Sequence, residues 1–390
     1  MPGPHHDYPL TGVRVLDFSR LIPGAFATLM LAELGADVIK IEDPRGGDPM
    51  RQLPPIINGR GIYDYLLNRG KRSVALDLKN PERLRQLHAL VDTADVVVES
   101  FRPGTARRLG VSGEQLRARN PRLIHCAMTG YGQSGPYAER PGHDLNYVSI
   151  SGMLSADRPH LEKSGELPRM FIADVGGGAM TSVIGMLAAL FRRERHGEGD
   201  SLDISMHDAA LYWMMLPGAR DLIEGGEQAA GELPTFGKHA SYNVYKTRDG
   251  RAIALGALEE KFWVTFCEAI GRPDLIARHA TGEADQASLI READQASLIE
   301  EVRAVFAERT RDEWMALLTS HDVCATPVNT PREALADPHV LARGTVRDHG
   351  THRSIRAPFL RELPDLGPPP EVGQHTDEVL ASLSTHTEKT

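Results

Sequence analysis

The segment from Val13 to Glu42 constrains the fold more than any other stretch of the chain. Val13–Phe18 (VRVLDF) is a short apolar run punctuated by Pro23 and Gly24. AFATLMLAELG follows at helical spacing and closes on Gly35, and ADVIKIE is a second apolar run. A short strand, a helix and a second short strand form a β-α-β unit, whose helical crossover allows the two strands to lie parallel. The alternation continues. SVALDL reads as a strand, PERLRQLHALVDTA as a helix opening on Pro81, DVVVES as a strand, and PRLIHCAMTG as another. The expected fold class is α/β, a doubly wound sheet with ligands near the carboxyl ends of its strands. No G-x-G-x-x-G follows the first strand, so a dinucleotide site of the usual kind is not expected.

The middle of the chain reads as helical. GGGAMTSVIGMLAALFRRERHG carries one long apolar face and ends in a basic turn before Gly197. Arg192, Arg193 and Arg195 complement the carboxyl end of that helix. SLDIS then reads as a short strand and MHDAALYWMML as a helix. IEGGEQAAGELP, from Ile223 to Pro234, has the composition of a linker. Beyond it, YNVYKTRDGRAIALGAL predicts a hairpin turning at Asp249-Gly250, with helices to about His321. The expected organisation is a large domain whose N-terminal part is 1–222, a smaller α+β domain with its linker at 223–326, and a segment 327–390 returning to the large domain. The tail beyond Glu362 is expected to lie on the surface or partly loose.

Charge and cysteine content narrow the function. The net charge of −9 argues against a nucleic-acid surface. The start, MPGPHHDYPL, shows no basic and apolar leader pattern. The apolar run Ala179–Phe191 is too short to span a bilayer, so no membrane partner is expected. Cys126, Cys267 and Cys324 are far apart with no C-x-x-C, which argues against a disulfide framework or zinc site and for a reducing, cytoplasmic setting. No metal is expected.

Three separated segments carry the chemistry: GHDLNYVSISG around His143, FIADVGGGAM around Asp174 and ALGALEEKFW around Glu259. Each sets an ionisable group among small or apolar neighbours, where burial and a close partner move a pKa toward working pH. One imidazole and two carboxylates serve general acid–base work at carbon. A carboxylate also serves as a nucleophile toward a thioester.

The chain resembles the class III CoA-transferase family, also called the CaiB/BaiF family, which includes α-methylacyl-CoA racemase. The resemblance rests on LTGVRVLDFSRLIPGAFATLMLAELGADVIKIEDPRGGD, NRGKRSVALDLK, ESFRPG, TGYGQSGPY, PGHDLNY, ADVGGG and GALEEKFW, in that order. It implies an acyl-CoA substrate, a Rossmann-like large domain, a smaller second domain and an interlocked homodimer. No separate cofactor is implied, since CoA is part of the substrate. By the same resemblance, Asp174 is the family aspartate, a proton carrier in racemases and an acyl carrier in transferases. His143 is the second proton carrier of racemases, and Glu259 supports it. Lys79 and Arg108 hold the CoA nucleotide and phosphates, with Arg102 nearby, and Arg45 and Arg51 as further phosphate contacts.

Two reactions follow from that set. In 2-methylacyl-CoA racemisation, His143 and Asp174 work on opposite faces of the α-carbon, and the thioester delocalises the carbanion. Bare N–H groups at Gly176, Gly177 and Gly178, expected to begin the long helix, would stabilise the enolate. In CoA transfer, Asp174 attacks the donor thioester and passes on the acyl group, and His143 is dispensable. His143 favours the first. The chain departs from the racemase pattern at PTFGKHASYNVYKT, and Glu260 stands where relatives carry proline. It also lacks the tetraglycine loop of formyl-CoA transferases.

EADQASLI occurs at Glu283–Ile290 and again at Glu292–Ile299. A tandem duplication in a tolerant surface helix or loop is expected, with no function attached.

Overall fold

The computed structural model describes residues 8–156, 170–219, 222, 237–280, 286–350, 352–358 and 364–384, with 286–293 and 384 described in backbone only. The 223–234 linker lies outside them. Contacts divide the described residues into two units. The first takes 8–154, 170–215 and 345–384, and the second takes 155–156 and 216–344.

The first unit is built on six strands: β1 (Arg14–Asp17), β2 (Asp37–Glu42), β3 (Arg72–Ala75), β4 (Val96–Glu99), β5 (Ile124–Thr129) and β6 (Ser201–Ser205). Every pairing is parallel, and the order across the sheet is β3-β2-β1-β4-β5-β6. Strand order therefore reverses beside β1, which opens a crevice at the carboxyl ends of β1 and β4. The strands are rich in Val and Ile because both faces are covered. Val15, Val38, Val96, Val98, Cys126 and Met128 face helices Leu21–Glu33 and Met180–His196. Leu16, Ile39, Val74 and Val97 face helices Pro81–Val91 and Thr376–Ser384. Helix Pro81–Val91 starts where the sequence places it. The Asn80 side chain accepts from the Glu82 and Arg83 N–H groups, and Pro81 needs no donor there.

The long middle helix begins earlier than the glycines suggested. Ile172–Ala179 is a π-helical turn that runs into Met180–His196, and the helix stops at Gly197, whose φ of +79° suits glycine. The whole run Ile172–His196 has the length and apolarity of a membrane span. Its inner face is packed on the sheet through Val183, Met186, Ala189 and Leu190.

The C-terminal segment closes the β3 edge. Ser73 N–H donates to His375 Nδ1 (3.1 Å), His375 N–H to Ser73 O (2.9 Å), and Ala75 N–H to Thr376 Oγ1 (3.0 Å). An edge strand that would present unpaired groups is thereby satisfied, so the described part of the tail is fastened rather than loose.

The second unit carries the expected hairpin, β7 (Tyr242–Lys246) and β8 (Ala252–Gly256), with Gly250 at φ +73° in the turn. β9 (Ala325–Pro327), in a proline-rich stretch not read as a strand, pairs antiparallel with β8. Tyr245, Trp263, Phe266, Phe306 and Trp314 form the core, with Tyr245 stacked on Phe306 at 5.1 Å. Helix Gln286–Phe306 holds the second EADQASLI copy. That copy is not a tolerant surface: Gln295 is 3% exposed, accepts from Ala240 N–H (3.0 Å) and donates to Arg278 O (3.1 Å), and Leu298 is buried. The first copy's side chains lie outside the described residues.

Candidate active site

Asp174 sits in the first turn of the π-helical segment, partly buried. Its backbone N–H donates to Asp144 Oδ1 at 2.9 Å. Burial pushes the Asp174 carboxyl up to about 6; the negative charge of Asp144 adds to that rise, and His143 opposes it. His143 is the residue before helix Asp144–Ile150, and it is exposed. Its backbone N–H donates to Asn146 Oδ1 (3.0 Å), and its carbonyl accepts from Asn146 N–H (2.8 Å). The fold thus brings His143 and Asp174 into electrostatic reach of one another, from segments 30 residues apart at Asp144 and Asp174.

Two neighbours were not singled out in the sequence, although both lie in GHDLNY. Asp144 supplies the second carboxylate. Tyr147 donates its hydroxyl to Gly142 O at 2.6 Å, and its ring fills the space that a Cβ at Gly130 or Gly142 would need. Burial raises its hydroxyl pKa, and the charge of Asp174 adds to this.

The glycines after Asp174 have a packing reason. A Cβ on Gly176 would lie 2.4 Å from the Trp213 ring, and one on Gly178 would lie 2.7 Å from Met206 Cγ. Gly177 and Gly178 are buried against helix Met206–Trp213. They lie within the π turn and do not open the helix as expected.

A cavity of about 280 Å³ lies at the carboxyl ends of β1, β2, β3 and β4, reaching the switch point between β1 and β4 where the doubly wound order predicts a ligand. Phe18, Leu76 and Phe101 give it apolar walls, and Lys79 and Arg45 line it with positive charge. Arg45 is exposed and grips Asp43 through two bonds of 2.9 and 2.7 Å. Arg108 stands beside the cavity, donating to Oγ1 of the lining residue Thr105 at 2.8 Å. Arg102 is exposed, and its charge acts on Tyr147. Arg51 is not available to a phosphate. It is buried, doubly bonded to Glu42 (3.0 and 2.7 Å), and donates to Pro370 O (2.9 Å).

An ionic cluster that the sequence did not reveal lies beneath the cavity. Lys40 Nζ is 2.9 Å from Asp48 and 3.7 Å from Asp17, and Lys71 Nζ is 3.1 Å from Asp17. Burial would raise the Asp17 carboxyl, but Lys40 and Lys71 more than offset it and hold it at about 2. The same burial pulls Lys71 down to about 8.

Glu259 belongs to the second unit. It is exposed and precedes helix Glu260–Ala269, its carbonyl accepting from Phe262 and Trp263 N–H. Its side chain does not cap the helix.

Residues 10–376 match the model of CoA-transferase family III. The chain is 34% identical to the "probable fatty acyl-CoA transferase" of Mycobacterium tuberculosis, covering 98% of this chain and 100% of that one. It is 33% identical to the α-methylacyl-CoA racemase of Mus musculus, over 95% and 92% of the two chains. It is also 33% identical to the succinate–glutarate CoA-transferase of Agrobacterium fabrum, over 98% and 97%. A solved CaiB/BaiF family protein from Brucella suis superposes with a TM-score of 0.83 at 29% identity, covering 97% of this chain and 100% of that one. Family match, sequence relatives and solved fold agree along nearly the whole chain, and the chain belongs to CoA-transferase family III.

Proposed function

We propose that this enzyme racemises 2-methylacyl-CoA thioesters. The observation that carries the reading is the His143–Asp174 pair, an imidazole and a carboxyl whose pKa is raised to about 6, within electrostatic reach of one another. The α-proton of a thioester is acidified because the carbanion spreads into an enolate. A neutral His143 takes that proton on one face, and protonated Asp174 returns one on the other. For the opposite enantiomer the roles reverse, so both directions need one proton shared by the pair. Glu259 supports the imidazole in this scheme. The likeness to a mammalian racemase supports the same reading.

CoA is the handle of the substrate. We assign its nucleotide to the cavity at the switch point, with Phe101 against the base and Lys79, Arg45 and Arg108 for the phosphates. Arg102, nearer Tyr147, serves the part of CoA closer to the thioester. The working form is an interlocked homodimer in the cytoplasm. In support, Ile184 and Phe191 on helix Met180–His196 and Leu211 and Tyr212 on helix Met206–Trp213 are exposed at 50–69%. No nucleic-acid or membrane partner and no metal are part of this reading.

A second reading is CoA transfer. At neutral pH a carboxyl of pKa about 6 is mostly ionised, which suits a nucleophile, and CoA-transferases are among the relatives.

Incubation with a (2R)-2-methylacyl-CoA in deuterated water, followed by mass spectrometry and chiral analysis, separates the two. α-Deuteration with loss of optical purity, abolished by His143→Ala and by Asp174→Ala, supports racemisation. CoA transfer to an added carboxylate that needs Asp174 and survives His143→Ala overturns it in favour of the transferase.

A further inference from the structure

Glu99 ends β4 and has no role in the chemistry above. It is 3% exposed. Sheet register places it in one row with Ala127 of β5 and Asp203 of β6, so the two acidic side chains share a face of the sheet. Both Asp203 oxygens accept from the Gln133 N–H (3.1 and 3.0 Å). Among the described residues no basic side chain pairs with Glu99. The one hydrogen bond it makes to a described residue is from the Phe101 N–H to Oε2, at 2.6 Å. An acid with so little to hold it is costly in a core, which calls for a reason.

The turn that Glu99 begins connects the two parts of the site. Ser100 Oγ accepts from Arg20 N–H at 3.0 Å, tying this turn to the one after β1. Phe101 lines the cavity, and so does Thr105, whose N–H bonds Arg102 O at 3.0 Å. Arg102 acts on Tyr147, which neighbours Asp174. Consecutive residues of one turn therefore serve the cavity and the catalytic pair.

We propose that Glu99 is a positioning residue for the CoA nucleotide, holding the Phe101 N–H so that Phe101 forms the cavity wall, and that it takes up a proton when CoA binds. This rests on the assignment of the cavity to CoA. Burial pushes the Glu99 carboxyl up to about 7; Asp203 adds to this and the Phe101 N–H opposes it. The Cys126 thiol of β5, on which the Glu99 charge acts, is raised by burial to about 12 and is neutral. Near neutral pH, Glu99 is divided between its two forms. Phosphates entering the cavity bring further negative charge to this end of the sheet, which favours the protonated form. By linkage, binding then draws in protons.

Calorimetric titration with CoA at pH 7.2, in two buffers of different ionisation enthalpy, tests this on the full-length protein. Wild type takes up a fraction of a proton. Glu99→Gln keeps an oxygen for the Phe101 N–H but cannot ionise, so it binds within about threefold of wild type with that uptake removed. Glu99→Ala loses the acceptor and weakens CoA about tenfold. Full proton uptake in Glu99→Gln overturns the coupling, and does so even if Glu99→Ala fails to fold. Wild-type affinity in a folded Glu99→Ala overturns the positioning role. A wild type that does not bind CoA overturns the cavity assignment itself, before any variant is compared.

Discussion

The backbone N–H of Asp174 donates to Asp144 Oδ1, and this single bond of 2.9 Å fixes one acid beside another. The negative charge of Asp144 is part of what raises Asp174. Asp144→Asn keeps an oxygen for the Asp174 N–H and removes the charge. Asp174 then ionises at lower pH, and the limb of the kcat/KM profile that it controls moves in the acid direction. At pH 7 less of the protonated form remains, and α-deuterium exchange slows by roughly two- to fivefold. An unchanged pH profile would show that Asp144 does not tune the carboxyl.

The raised pKa of Asp174 also carries a stability cost. A carboxyl whose pKa rises from 3.8 to about 6 on folding binds protons more tightly in the native state. The penalty is absent below about pH 4, grows as pH climbs to 6 and is complete above it. Asp174→Asn removes it. The variant is inactive yet more stable than wild type by about 1–2 kcal/mol at pH 8, with the gap closing toward pH 4. Thermal melts at the two pH values check this, and a less stable variant at pH 8 would contradict it.

The legible parts of this chain were those set by local pattern. Val15, Leu16, Ile39 and Val97 announce strands buried on both faces, and the alternation with helices gives the parallel sheet. The hairpin at Gly250 follows from turn chemistry. What escaped depends on partners distant in sequence. Lys40 and Lys71 look like surface lysines until β1, β2 and the strand after Lys71 bring both to Asp17. Arg51 sits in a proline- and glycine-rich loop, and nothing local shows that Glu42 and Pro370 claim it. Asp144 and Tyr147 were in view beside His143, but only the docking of the π turn reveals that they face Asp174.

Asp17 is the anchor of the buried cluster. It accepts from Thr28 Oγ1 at 2.7 Å and pairs with Lys71 at 3.1 Å. Asp17→Asn would leave Lys40 and Lys71 in the core with one negative partner fewer. Removing one partner of a buried set costs about 3–5 kcal/mol, so the variant's urea midpoint falls steeply at pH 7. The folded pKa of about 2 lies below the ordinary 3.8, so this stabilisation is present above pH 4 and is lost as pH drops toward 2. Wild type and variant therefore converge in acid. A difference that persists at pH 2 would assign the effect to packing instead.

The repeated EADQASLI offers a test that needs no point mutation. Deleting 283–291 removes the first copy and leaves the second running into Glu300 and Glu301. Deleting 292–300 gives the same polypeptide except that Arg291 stands where Glu300 would be. In either product one copy reaches Val302, Val305 and Phe306 through the same spacing and can supply the contacts of Gln295 and Leu298. The only described interaction at stake is the surface pair Glu300–Arg303, and such pairs contribute about 0–1 kcal/mol. Both deletions should therefore melt within a few degrees of the full chain and keep its activity. A collapse of stability in both would mean that the first copy makes contacts of its own. Loss in the second deletion alone would place unexpected weight on Glu300.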